Sequence, residues 1–280
     1  MVAASAFIAG TMLAAKLLGT DSLGPPLHPL QISHGRFLFA FIAIATTAAA
    51  LRPKFDPPNW RLHMGRTLCG WSGVTLMFAS VAFIPLPDAT AISFLNPVFA
   101  MLLAIPLLGE RVGPWRWVAA VLAVIGALVL IRPGAGTFQA AALLAVGAAV
   151  LMGLELILIK KLSGRENPLQ ILLTNNAMGL TIASIAVLFV FAAPTPMQWL
   201  VLAALGFLMA SAQACFVNAM ARADASFATP FSYLTLVFAG AYDIAVFQAI
   251  PDWVSILGAV IILGGAALLA WREGVARRRA

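Results

Sequence analysis

His28-Pro29-Leu30-Gln31-Ile32 stands just before a long apolar run, and Asn167-Pro168-Leu169-Gln170-Ile171 stands just before another, 139 residues further on. Working outward from that pair, Asp88-Ala89 recurs as Asp224-Ala225, again opening an apolar run, at an offset of 136. Pro114-Trp115 and Asp252-Trp253 open two further runs, and Gly126 matches Gly264 at an offset of 138. Matches at one recurring offset are the mark of an internal repeat. The expected division is residues 1–135 and 136–280.

The composition says what solvent the repeat faces. Of 280 residues 62% are hydrophobic and 10% charged, with a mean hydropathy of +0.99. Soluble domains carry about 25% charged residues. A bilayer core about 30 Å thick takes roughly 20 apolar residues per helix. Breaks rich in Pro, Gly and charge divide the chain into spans at 2–18, 30–51, 64–84, 89–108, 114–131, 139–160, 169–192, 197–220, 225–247 and 253–271. Backbone groups in lipid must pair internally, and the weak period-2 signal excludes a barrel, so these runs read as helices. The expectation is an all-α membrane protein with ten transmembrane helices.

Basic residues orient it. With the N-terminus inside, the cytoplasmic segments hold fourteen of the seventeen Lys and Arg, among them Arg61, Arg66, Arg111, Lys160, Lys161 and Arg165, against Arg132 alone on the opposite side. Such a split follows the positive-inside rule and places both termini in the cytoplasm. It also accounts for a pI near 10.3 without nucleic acid. Each half holds five helices, an odd number, so the second half enters from the opposite side. Inverted repeats of this kind suit alternating access.

Phe94-Leu95-Asn96-Pro97, the run through Gly109-Glu110-Arg111, Trp117, and Gly126 through Arg132-Pro133 resemble the fourth helix, Gly-Glu loop and fifth helix of the EamA-type family of the drug/metabolite transporter superfamily. Asp224-Ala225, Pro230-Phe231-Ser232-Tyr233 and Pro251-Asp252-Trp253 extend the resemblance into the second half. The resemblance implies carriers of small organic solutes, by export or uptake, with a central cavity between the halves and the fifth and tenth helices at the periphery. It implies a basic residue where Arg36 stands. One departure is that Glu110 aligns with Gln248, which argues for Glu110 as a loop-ordering charge at a helix N-terminus rather than a proton carrier.

Ionisable groups inside a span cost at least about 2.5–3.5 kcal/mol for a central Asp, Lys or Arg, so each invites a functional hypothesis. Glu155 lies five residues before Lys160 and reads as a cavity carboxylate, or as a partner of Lys160 or Lys161. Arg36 wants a partner or an anionic ligand, and Asp243 is a candidate for that partner. Lys16 is expected to snorkel outward, and His34 to be structural. Asn96, Asn175, Asn176, Gln213, Asn218 and Tyr233 need hydrogen-bond partners inside the bundle. Asn96 and Tyr233 adjoin Pro97 and the Pro230 segment, where a disturbed helix frees carbonyls. Trp71 is internal, whereas Trp60, Trp115, Trp199, Trp253 and Trp271 read as an interfacial belt. Among these, Glu155, Arg36, Asn96, Tyr233, Trp71, Asn175 and Asp243 are the candidates for substrate binding or coupling.

Other classes fit poorly. Gly70-Trp71-Ser72-Gly73 resembles an intramembrane serine nucleophile, yet His63 is about 13 Å away by helical rise. Cys69 and Cys215 lack ligand spacing and read as packing residues. No phosphate-binding Gly-rich loop is seen. The expectation is therefore not an enzyme and not cofactor-dependent. The expected molecule is a bacterial inner-membrane carrier, its leading substrate class amino-acid-like metabolites for export. The runner-up is uptake of a nucleoside-like or vitamin solute. Expected partners are the solute, the lipid bilayer and a second copy of the chain in a homodimer.

Overall fold

A computed structural model describes residues 2–108, 114–131, 141–162, 166–222 and 234–279. Glu110, Asp224 and residues 230–233, Tyr233 among them, lie outside these, as does the side chain of Asn218.

Eleven α-helices are found among the described residues: α1 Val2–Gly19, α2 Pro29–Leu51, α3 Trp60–Val81, α4 Leu86–Ser93, α5 Asn96–Leu108, α6 Pro114–Ile131, α7 Ala142–Leu162, α8 Pro168–Val187, α9 Pro196–Arg222, α10 Leu234–Phe247 and α11 Trp253–Arg279. Only Phe94 and Leu95 separate α4 from α5, and taken together the helices number ten. Among the described residues, six runs are long and apolar enough to cross a membrane: α1, α2, the combined Leu86–Leu107, α7, α8 and α9.

The two pentapeptides begin α2 and α8 in the same way. His28 Nδ1 accepts from the Leu30 N–H at 3.2 Å, and Asn167 Oδ1 from the Leu169 N–H at 2.9 Å. A proline follows at the first helical position in both, where its missing N–H costs nothing. Their glutamines then reach across the molecule. Gln31 donates to the Ala192 carbonyl at 2.6 Å and accepts from the Ala192 N–H at 3.1 Å. Gln170 donates to the Asp56 carbonyl at 2.7 Å and accepts from the Asp56 N–H at 2.8 Å. Each amide clamps both polar groups of one residue in the loop that follows the other pentapeptide's helix.

Helix packing is dominated by pairs drawn from the two halves: α6 with α11, α3 with α7, α1 with α9, and α2 with α8. The broken α4–α5 run lies against α7, and α10 against α1. Close approach is made by glycine. A Cβ on Gly126 would sit 2.8 Å from the Gly258 carbonyl, and one on Gly258 would sit 3.0 Å from the Gly126 carbonyl. Small residues let membrane helices touch backbone to backbone in this manner. The outer side of α6 leaves Val118, Val121, Ile125 and Leu128 about half exposed, which is lipid-facing surface. Trp60, Trp115, Trp199, Trp253 and Trp271 are all exposed, as a belt requires.

Several boundaries differ from the sequence expectation, the last helix for instance running to Arg279 rather than 271, and three others show the causes. The third helix begins at Trp60 rather than 64, because Asn59 caps it by accepting from the Leu62 N–H at 3.3 Å. The fourth span is two helices joined at Phe94-Leu95, and it starts at Leu86. The seventh ends at Val187 rather than 192.

Candidate solute-binding site

The shift of α3 has a consequence for charge. Arg66 is not at the cytoplasmic end of its span, where a start at 64 puts it; it is six residues into α3, about 9 Å along the axis, and 4% exposed. It therefore leaves the set of cytoplasmic charges and joins the interior. Its Nε lies 3.5 Å from Glu155 Oε1 of α7, and its Nη1 donates to the Ile171 carbonyl of α8 at 2.9 Å. Glu155 is thus paired with Arg66; the side chain of Lys160, the other partner the sequence offered, lies outside the described residues, and Lys161 is exposed. Asn59, the residue after Pro57-Pro58, was the signal in the sequence that the helix starts early enough to carry Arg66 inside.

Arg36 completes the group. It is 4% exposed on α2, and Glu155 and Arg66 are the charges that act on it. Its guanidinium carbon lies 4.2 Å from the centroid of the Phe37 ring, a stacking suited to a weakly hydrated planar cation. The ring is held in turn by α8, where a Cβ on Gly179 would sit 2.3 Å from it. Gly70 of α3 plays the matching part for Glu155, since a Cβ there would fall 2.8 Å from the carboxylate. Bare backbone thus seats both the stacked arginine and the carboxylate.

Polar groups on the same helices are unevenly satisfied. Thr67 donates to Asn175 Oδ1 at 3.2 Å, and Thr75 to Ser33 Oγ at 3.0 Å, linking α3 to α8 and to α2. Asn176, fully buried, donates to the Leu172 carbonyl at 2.8 Å. Its Oδ1, the Trp71 Nε1, the Arg36 Nη1 and the Arg66 Nε are buried and make no hydrogen bond among the described residues. Buried polar atoms are satisfied in the great majority of cases. His63 Nδ1, near the start of α3, is a fifth such atom on these helices; the other four, on the mutually packed α2, α3 and α8, mark a candidate place for a ligand.

Asp243 does not meet Arg36. It is fully buried on α10, takes Lys16 Nζ of α1 on Oδ1 at 2.5 Å and the Leu86 N–H on Oδ2 at 3.1 Å. Lys16 does not snorkel outward; it is held there, 12% exposed, with Nζ 4.4 Å from the Phe247 ring centroid. Asn96 opens α5 at the helix break, and its carbonyl lies 2.8 Å from where a Cβ on Gly153 would stand. His34 is half-buried.

At the end of the bundle, His63 Nε2 and Glu166 Oε2 are 2.7 Å apart and both buried. Glu166 Oε1 accepts from the Asn59 N–H at 3.0 Å, and Oε2 from Gln170 at 3.0 Å. Burial pushes the Glu166 carboxyl up, but these hydrogen bonds together hold it below its ordinary value. His63 is thereby engaged at Glu166, nine residues from Ser72, and does not supply a base to it. No group of three or more His, Cys, Asp or Glu able to hold a metal is found among the described residues.

A bundle of apolar helices closed around buried, incompletely paired arginine, tryptophan and amide groups defines a multi-pass membrane protein with a polar interior. The EamA-like transporter family model matches the chain twice, over residues 1–132 and 139–271, and the chain belongs to that family. The chain is 34% identical over 237 residues to the riboflavin transporter of Rhizobium johnstonii, covering 82% of this chain and 75% of the relative. It is 26% identical over 259 residues to the S-adenosylmethionine uptake transporter of Rickettsia bellii, covering 90% and 87%. The pseudopaline exporter of Pseudomonas aeruginosa is 25% identical over 188 residues, 66% of each chain. A solved crystal structure 19% identical covers 95% of both chains with a TM-score of 0.63, a likeness of fold. These relatives are transporters of small molecules, not enzymes, and this chain is a membrane transporter of their family.

Proposed function

We propose that the chain is a carrier of the cytoplasmic membrane that takes up a planar heteroaromatic solute of the vitamin or nucleoside kind by alternating access. The observation that carries this is the set of orphaned buried atoms, Arg36 Nη1, Trp71 Nε1 and Asn176 Oδ1, on three packed helices. They offer donors, an acceptor and aromatic surface, which is what a flat, hydrogen-bonding ring needs. Relatives named for riboflavin and S-adenosylmethionine point the same way. They displace export of amino-acid-like metabolites as the leading reading. Export is the second reading and rests on the likeness to the pseudopaline exporter.

The two halves, 1–135 and 136–280, are read as inverted five-helix repeats with both termini cytoplasmic. The reciprocal glutamine clamps support the inversion, because each helix-opening glutamine reaches the loop belonging to the other half. So does the pairing of α1 with α9 and α3 with α7, the first helix of each half against the third of the other. In this reading Arg36, Glu155, Trp71 and Asn175 line or support the solute site, Asn96 flanks it at the α4–α5 break, Tyr233, outside the described residues, is its expected counterpart in the second half, and Asp243 is a structural ion-pair member.

The test is flux into proteoliposomes carrying the purified chain, with labelled riboflavin and labelled S-adenosylmethionine offered separately. Saturable uptake of either, accelerated by the unlabelled compound inside, is expected. Uptake of neither sinks the solute class, and flux that never saturates or responds to the trans side identifies a pore.

A further inference from the structure

The charges around Arg36 do not balance, and the imbalance names the group that binds there. Arg36 and Arg66 are both buried and both permanently charged. Among the described residues Glu155 is the anion that acts on them. Lys16 and Asp243 neutralise each other elsewhere. Among the described residues the cluster therefore carries one uncompensated positive charge inside a low-dielectric bundle, where an unpaired ion is strongly disfavoured. Glu155 is committed to the Arg66 side, since Gly70 seats its carboxylate and Arg66 Nε lies 3.5 Å away. Arg36, stacked on Phe37 and with Nη1 unpartnered, is left facing the vacancy in charge.

Resting on the solute-site reading above, we propose that Arg36 receives an anionic oxygen group of the solute, so that the occupied site is electrically neutral. The chemistry required is two acceptor oxygens in one plane, matched to the planar fork of a guanidinium. A carboxylate meets it fully. A single carbonyl of a flavin or uracil ring offers one such oxygen without the charge. Glu155 then acts as a competing internal anion: it holds the arginines together in the empty protein and sets how strongly an incoming anion is drawn. An empty site that keeps its unmatched charge also disfavours reorientation, so the solute is expected to stimulate its own exchange.

The experiment separates this from the identity of the natural solute because it reads binding rather than transport. Purified protein in detergent micelles is heated with nicotinate or nicotinamide, and with orotate or uracil, each pair matched in ring and differing in the carboxylate. The carboxylate member is expected to raise the melting temperature at a concentration at least tenfold below that needed for its neutral partner. Arg36→Gln should abolish the preference, and Arg36→Lys should weaken it while keeping the charge. Glu155→Gln, which removes the competing anion, should strengthen carboxylate binding several-fold. That rise is a result a merely damaged fold does not give. Equal shifts by neutral and anionic members, no shift by any carboxylate, or an unchanged preference in Arg36→Gln overturns the proposal. Failure of riboflavin and S-adenosylmethionine uptake with the carboxylate preference intact would instead remove only the named solute class.

Discussion

Two Lys or Arg ion pairs among the described residues sit inside this bundle, and they are built to opposite standards. Asp243 is closed on every side: Lys16 on one oxygen, the Leu86 N–H on the other, and the Phe247 ring beside the ammonium. The pair ties α1, α4 and α10 together. Arg66 and Glu155 stand 3.5 Å apart, beyond a good hydrogen bond, with Glu155 18% exposed on its side chain and a second arginine close by. A satisfied buried pair leaves nothing for a ligand to gain. An under-satisfied one is costly in isolation and persists where something else completes it. The difference sets a fastening apart from the proposed binding site without any appeal to sequence position.

The largest effect expected from breaking this contrast is at the fastening. Asp243→Ala leaves Lys16 and the Leu86 N–H buried without partners, and removal of one partner of a buried pair costs about 3–5 kcal/mol. A lowered melting temperature in detergent and a lower folded yield are expected. The double change Lys16→Met with Asp243→Leu should recover most of the loss, because apolar replacement of a whole pair is close to neutral. If the double variant is no better than the single, the pair is not what holds these helices.

Next come the glycine seats. Gly179→Ala places a methyl carbon 2.3 Å from the Phe37 ring and Gly70→Ala places one 2.8 Å from the Glu155 carboxylate. Overpacking of this kind costs about 1–3 kcal/mol. Both variants should lose solute flux, through the Arg36 stack in the first and the Arg66–Glu155 spacing in the second. Gly240→Ala, where the nearest atom is Pro87 Cγ at 3.8 Å, should leave flux and melting unchanged. Equal behaviour of all three would remove the glycines from the site.

The smallest effect belongs to a third carboxylate, outside the spans. Glu166 is held below its ordinary value of 4.5 by Asn59, His63 and Gln170. Its contribution to stability is therefore complete above about pH 4.5 and is lost as the pH falls through the folded-state value. Melting curves should show an acid-side loss that Glu166→Gln flattens, while variants of Asp243 keep it. An acid limb unchanged in Glu166→Gln would mean that another carboxylate controls it.

The sequence carried most of the fold and less of the site. Low charge and span length made a helical membrane protein the only solvent-compatible answer, and the paired pentapeptides marked where α2 and α8 begin. Family membership, visible in the stretch from Phe94 onward, was borne out. The site was half legible. Arg36 and Glu155 were visible because a charge within an apolar run is conspicuous. Arg66 was not, because a start at residue 64 put it only two residues into the span, where it was counted with the cytoplasmic charges. A helix boundary moves a residue by only a turn along the chain, but at a membrane surface that turn separates water from the bundle interior.

What the sequence determined by itself was the solvent, the helices and the repeated entry motifs, since these follow from local composition and from the need to pair every backbone group in lipid. Only the tertiary structure decided the partners. It gave Lys16 rather than Arg36 to Asp243, Arg66 to Glu155, and the loops of opposite halves to Gln31 and Gln170. Ion pairs and clamps depend on which helix faces join in three dimensions, over separations such as the 227 residues between Lys16 and Asp243. No local pattern records that choice, because it is made by the packing of the whole bundle.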